Sequence, residues 1–410
     1  MRGGNGTVSG LRTRRLAERR AARRRAVRRG VMVAAASVVT LVGSVTGTVA
    51  ALGSGHGTGR PRTEVARPPA LAPAPGPSTP SPGEPAAGRP TPAPPSRTPT
   101  LIPRPTPTAA PTPTSRKQRT GPVSPFLYRH PGSQVLDWVR AHPGDPRAAV
   151  IASRIADRPA AVWFTDPDPD AVTARVRTVT ADATARGEVP VLVPYAIPDR
   201  DCGGASGGGA PDLVAYDAWV DAFARGLGQG EVIVILEPDS IAQSGCLPEA
   251  VRAARFASLA RAGRVLKAAD PRARVYYDAG HSGWNPPAEQ AALLRRAGAA
   301  AADGVFSNVS NFRTTADEIA YDRQVLDALA GPPSLGAVID TSRNGNGAPP
   351  DGRWCDPAGR KLGRVPTLAT GEPRIDAYLW VKLPGESDGC RGAAGTFTPS
   401  YAYDLARGAS

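Results

Sequence analysis

Seven short runs rich in β-branched residues recur beyond residue 160, at Ala161 to Phe164, Val189 to Ile197, Glu231 to Pro238, Arg274 to Asp278, Gly304 to Val309, Leu335 to Thr341 and Ile375 to Lys382. Ala- and Arg-rich stretches of helical character separate several of them, among them Tyr216 to Gly226, Glu249 to Ala269 and Pro287 to Ala302. Buried strands that alternate with helices predict the α/β class and a parallel sheet. Seven of them argue for a distorted TIM-like barrel with surrounding helices, and an open doubly wound sheet is the structural alternative.

The rest of the chain is of a different kind. Residues 1–30 hold eleven Arg against one Glu, and Val31 to Leu52 follows without a charge. A basic stretch before an apolar one is the layout of a signal peptide, or of an uncleaved signal anchor, with the amino terminus inside and all that follows outside. Residues 53–122 are dominated by Pro, Thr, Ala and Ser and cannot bury enough apolar surface to offset ordering, so they read as a disordered linker. Residues 123–410 are then one domain of ordinary size. The expected location is extracellular, or the outer membrane face if the apolar segment stays attached, which is also the only membrane contact expected.

Charge supports this division. Of the formal +14, residues 1–30 carry +10 and residues 53–122 carry +7, which leaves −3 for the remainder. The basic pI belongs to the tails, and no nucleic-acid partner is expected of the folded part. Its four cysteines, Cys202, Cys246, Cys355 and Cys390, lack the Cys-x-x-Cys spacing of a zinc site. In an exported chain they predict two disulfides, with three pairings open.

A barrel of this kind places its chemistry just beyond the carboxyl ends of its strands. The second run leads into Asp199-Arg200-Asp201-Cys202, the third ends in Glu237-Pro238-Asp239-Ser240, the fourth in Asp278-Ala279-Gly280-His281-Ser282-Gly283-Trp284, and the seventh in Trp380-Val381-Lys382 before Glu386 and Asp388. One aspartate after a strand is ordinarily a turn former or helix cap. Four strand ends with carboxylates suggest glycosidic bond hydrolysis, which needs one protonated acid and usually a second carboxylate. Crowding itself raises the pKa of one member of such a group. The Gly-rich stretch after Cys202 lacks the Lys-Ser/Thr ending of a phosphate loop, and Ser206 is not in a Gly-x-Ser-x-Gly elbow.

At these residues the sequence resembles glycoside hydrolase family 6, the inverting cellobiohydrolases and endoglucanases. The strings Val193-Pro194-Tyr195-Ala196-Ile197-Pro198-Asp199-Arg200-Asp201-Cys202 and Val234-Ile235-Leu236-Glu237-Pro238-Asp239-Ser240-Ile241 carry the likeness, which extends over residues 123–410. The resemblance implies Asp239 as general acid, Asp201 as the neighbour that raises its pKa and relays a proton, Asp388 as the direct base, and Tyr195 as the group that crowds the sugar. It implies Trp163, Asp278, Trp284, Asn308, Trp354, Lys382 and Glu386 as substrate-binding residues, and His281, the one histidine inside a motif, reads as a structural or sugar-contacting residue of the cleft. It also suggests pairing Cys202 with Cys246 and Cys355 with Cys390. The chain departs from the family at Gly207, where other members carry a serine that holds the catalytic water, with Ser206 one place earlier. The implied substrate is a β-1,4-glucan, cut with inversion by a monomer without metal or other cofactor. The chain runs only twenty residues past Cys390, which favours an open cleft and internal cutting over the roofed cleft of an exo-acting relative. A cellobiohydrolase and a catalytically altered polysaccharide-binding protein on the same barrel are the alternatives.

Overall fold

The computed structural model describes residues 126–408. The segments read as targeting sequence, 1–52, and as linker, 53–122, lie outside the described residues. Seven parallel strands stand side by side in chain order: β1 (Val162–Phe164), β2 (Val191–Pro194), β3 (Val232–Leu236), β4 (Ala273–Asp278), β5 (Gly304–Ser307), β6 (Gly336–Asp340) and β7 (Ile375–Leu379). The sheet curls until Ala161 N–H donates to the Trp380 carbonyl at 2.9 Å, without a ladder between the first and last strands. The result is the distorted TIM-like barrel expected from the sequence, with one open seam.

Alternation along each strand explains why the runs read as continuously apolar. In β3, Val232, Val234 and Leu236 pack outward with the helices, while Ile233 and Ile235 join Val193, Tyr276, Phe306 and Val338 inside the barrel. A two-residue side-chain period gives each buried strand two apolar faces. The outer layer is α1 (Gln134–Ala141), α2 (Ala148–Ile151), α3 (Pro169–Arg186), α4 (Leu213–Ala224), α5 (Glu249–Ala269), α6 (Pro287–Arg296), α7 (Thr315–Leu329) and α8 (Pro399–Ala406). Local chemistry sets their starts: the Asp212 and Thr314 side chains accept from the N–H groups of Ala215 and Asp317, and Pro169 occupies the first turn of α3. The stretch read as one helix from Pro287 to Ala302 stops at Arg296, because Gly298 turns left-handed (φ 85°) and a short 3-10 turn follows.

Helices α1, α2 and α8 with Trp380 form a third apolar cluster beside the seam. Trp138 belongs to it as a half-buried ring 6.0 Å from Phe397, in agreement with the core role its amphipathic helix suggests. No helix lies between β6 and β7. That long connection instead carries Arg343, Trp354, Cys355 and Asp356, and loops of this length in a compact domain commonly serve a site.

Candidate active site

A cleft of about 1230 Å³ crosses the carboxyl ends of the strands, with room for several sugar rings. Ten of the twelve residues expected to act on or bind substrate line it, and Asp278 and Asn308 do not. Asp278 is 1 % exposed and accepts from the N–H groups of Ile241 (3.0 Å), Ala242 (2.8 Å) and Gly280 (2.9 Å). Asn308 is fully buried and donates to the Asp340 carbonyl at 2.8 Å. Both therefore stand behind the residues that line the cleft. A residue in the same motif as a cleft group need not share its exposure.

Asp278 belongs to a wider pattern in which a strand-end carboxylate binds backbone N–H groups of neighbouring loops. Glu237 accepts from Ala196 and Ile197 at 3.0 and 3.1 Å. Asp340 accepts from Ser310 (3.2 Å), Ser342 (2.9 Å) and Lys382 (3.1 Å). From outside, Arg255 on α5 donates to the carbonyls of Pro198 and Asp199. These positioning roles were not assigned from sequence, although Asp340 also ends a β-branched run, the signal used for the other carboxylates.

Backbone strain concentrates here. Asp199, Asp201, Cys202, Glu237, Asp239, Asn308 and Ser310 all have positive φ and lie in the loops after β2, β3 and β5. Such conformations persist only where surrounding structure enforces them, and they cluster at functional sites. The glycines after Cys202 make one of these turns possible: a Cβ at Gly204 would lie 2.6 Å from Asp201 Oδ2, and one at Gly209 would lie 2.0 Å from the Ile197 carbonyl.

Asp239 is half-buried at the cleft floor. Burial and the neighbouring carboxylates Asp278, Asp201 and Asp388 push its pKa well above the usual range, and Lys382 opposes them only in part. Asp201 Oδ2 accepts from both N–H and Oγ of Ser206 at 2.9 Å, and Ser206 Oγ is also 3.1 Å from the Tyr195 hydroxyl. The Tyr195 ring lies edge-on to Trp163 and under the Arg200 guanidinium, 4.7 Å from its centroid. Burial, with the neighbouring Asp239 and Asp201 carboxyls, raises the Tyr195 pKa, so the phenol stays protonated.

After β7, Asp388 is 8 % exposed and accepts from Arg343 Nη1 at 2.7 Å, with Lys382 Nζ 3.4 Å away. Arg343, fully buried, was not singled out from sequence. Glu386 accepts from Gln134 of α1 at 3.1 Å, and burial pushes its pKa up to about 7 against the pull of Lys382 and Arg343. His281 Nδ1 accepts from Gly283 N–H at 3.1 Å, and the ring lies 5.1 Å from Trp284. Burial and Arg313 lower its pKa to about 4, leaving it neutral in the physiological range. The Ser206 hydroxyl meets Asp201 and Tyr195, an arrangement unlike a Ser-His-Asp triad.

Cys202 is bonded to Cys246 and Cys355 to Cys390, the pairing the family likeness suggested. The first ties the Asp201 turn to the loop after β3. The second ties the β6–β7 connection to the loop that holds Asp388. Trp354, 57 % exposed beside this cross-link, lines the cleft, as do Trp163 and Trp284, both half-buried.

A large cleft lined by aromatic rings, with an acid whose pKa burial and crowded carboxylates raise, defines a glycoside hydrolase of the polysaccharide-cleaving kind. Residues 125–409 match the model of "Glycosyl hydrolases family 6", and the chain belongs to that family. It is 51 % identical over 284 residues to Endoglucanase 1 of Streptomyces sp. (strain KSM-9), covering 69 % of this chain and 78 % of that one. Endoglucanase A of Thermobispora bispora is 48 % identical over 289 residues, 70 % of this chain and 63 % of the relative. The endoglucanase Cel6 of Mycobacterium tuberculosis, solved in complex with methyl-cellobiosyl-4-deoxy-4-thio-β-D-cellobioside, superposes with a TM-score of 0.65 at 40 % identity, over 69 % of this chain and 97 % of that one.

Proposed function

We propose that residues 123–410 are the catalytic domain of an exported endo-1,4-β-glucanase that cuts cellulose or a related β-glucan internally, with inversion, and with Asp239 as its general acid. The observation that carries this reading is the Asp239 environment. A carboxyl held neutral at the floor of a sugar-sized cleft can donate a proton to the leaving glycosidic oxygen. Asp201, through its charge, keeps Asp239 protonated, and through Ser206 it orders the place from which a water would attack. Asp388 is the candidate base, held in place by the hydrogen bond from Arg343 and by Lys382 beside it. Tyr195 presses on the sugar before the cut, while Trp163, Trp284 and Trp354 stack on successive units.

The endoglucanase relatives support internal cutting. Export rests on the basic and apolar segments before residue 53 and on the two disulfides, which suit an oxidising compartment. In the test, the full chain and its Asp239→Ala variant are compared on carboxymethylcellulose and barley β-glucan by viscosity and reducing ends. The wild type should collapse viscosity early, and the variant should lose about two to four orders of magnitude in rate. Products dominated by cellobiose from the first minutes would replace the endo reading with an exo one, and a fully active variant would remove Asp239 from its role.

A further inference from the structure

The folded part of this chain is net negative, because the charge outside the two basic tails is −3. Its cleft departs from that balance. Five arginine or lysine side chains line it against four carboxylic acids. Two of those acids hold their protons more tightly than an ordinary carboxyl: burial and crowding push the Asp239 pKa up, and burial brings Glu386 to about 7. The cleft is therefore a basic groove in an acidic domain, and a groove walled by low-dielectric protein focuses such a field outward.

The cations divide into two groups. Lys382 faces Asp388, and Arg200 donates to the carbonyls of Ser206 and Thr165. Arg129, Arg158 and Arg175 are exposed, line the same cleft, and form no ion pair with any described residue. Arg129 gives one hydrogen bond to the Ala156 carbonyl, and Arg175 lies 5.5 Å over the Phe164 ring, so both heads are steered without being neutralised. Arg129 and Arg158 precede β1 in sequence and Arg175 follows it, on α3, with Trp163 of β1 between them. A neutral glucan would gain little from three cleft-lining guanidinium groups without ionic partners. A chain with carboxylates on its sugar units would gain charge-assisted contacts along that stretch of the cleft.

We infer that Arg129, Arg158 and Arg175 make this cleft selective for β-1,4-glucan chains that bear acidic substituents. The inference rests on the glucanase reading and names the substrate class within it. Its signature is a preference that salt removes, because exposed charges are screened beyond about 8 Å at physiological ionic strength.

The experiment compares carboxymethylcellulose with uncharged hydroxyethylcellulose of matched length. It uses the full chain and the triple variant Arg129→Gln, Arg158→Gln, Arg175→Gln, with kcat/KM from reducing ends at low and high sodium chloride. The wild type should favour the anionic polymer at low salt and lose most of that preference at high salt. The variant should show an anionic-to-neutral ratio about fivefold lower at low salt, mainly through KM, and little salt dependence. Equal losses on both polymers would make the arginines general sugar contacts and overturn the inference. So would a wild-type ratio indifferent to salt, a result that needs no variant to fold. Failure of the wild type to cut either polymer would sink the glucanase reading and this inference with it.

Discussion

Asp356 makes no direct claim on substrate, yet its replacement should reach the chemistry. Its Oδ2 accepts from Ser387 Oγ (2.6 Å), Cys390 N–H (3.0 Å) and Arg391 N–H (2.9 Å), and its Oδ1 accepts from Asp388 N–H (2.8 Å). In return its own N–H donates to Asp388 Oδ2 at 3.1 Å. Burial alone would raise its pKa, but the hydrogen bonds from Ser387, Asp388, Arg391 and Cys390 outweigh burial and hold it below the usual carboxylate range. Asp356→Asn keeps one acceptor oxygen and turns an amide toward groups that are themselves donors. Roughly two charge-assisted bonds are lost, at about 1.5–3 kcal/mol each, and the adjacent Cys355–Cys390 cross-link recovers part by holding the loop. A net loss of about 3 kcal/mol in urea unfolding at pH 7 is expected. The carboxylate is stabilising above the unfolded pKa of 3.8 and loses that effect as pH falls through its lower folded value, so wild type and variant should converge in strong acid. A shift of Asp388 on the order of 1 Å should cost about 10²-fold in kcat, with KM changed much less. Loss of stability with kcat intact would refute the link between this clamp and Asp388.

Three other perturbations test separate parts of the site. Asp278→Asn removes the largest neighbouring charge that raises the Asp239 pKa, so the alkaline limb of the rate profile should move to lower pH, and an unmoved limb would deny the coupling. Burial brings both Glu237 and Glu386 to about 7 from the ordinary 4.5, so the folded state holds more protons than the unfolded between those values. Their contribution to stability falls as pH rises through that window and levels off above it; Glu386→Gln should flatten the fall in melting temperature, and a curve parallel to the wild type would count against it. The two disulfides span sequence separations of 44 and 35, and paired Cys→Ala replacement of either should lower unfolding free energy by about 4 kcal/mol in the chain-entropy picture, with a change under about 1 kcal/mol showing that other contacts hold the loops.

The strands were legible because each is buried on both faces, which leaves an uninterrupted β-branched run in the sequence. Their ends were less so. The run Val189 to Ile197 outlasts β2, which stops at Pro194, because Ala196 and Ile197 are buried in the loop beyond it and Glu237 satisfies their N–H groups. Composition cannot distinguish a backbone group bonded by a ladder from one bonded by a carboxylate. The same limit blurred the site. Asp239 and Asp278 each close a motif after a strand, but one faces the cleft and the other bonds to the turn behind it, and only the backbone path separates them. Arg343 and Asp356 sit in a connection without helix or strand, where no periodicity marks burial, so their contacts with Asp388 had no counterpart in the sequence pattern.

The carboxylates that bind neighbouring loops also determine how this face opens. Glu237 bonds the loop after β2, Asp278 the loop after β3, and Asp340 the loops after β5 and β7. No one of these loops can lift at its base without stripping a buried acid of its partners. The amide protons of Ala196, Ile197, Ile241, Ala242 and Lys382 should therefore exchange with solvent as slowly as those in the middle of β3, by opening of the whole barrel. Cleft-rim amides around Trp354 lie outside these contacts and can exchange by local motion, so a chain could enter through a mobile rim while the bases of the loops that carry the acids stay fixed.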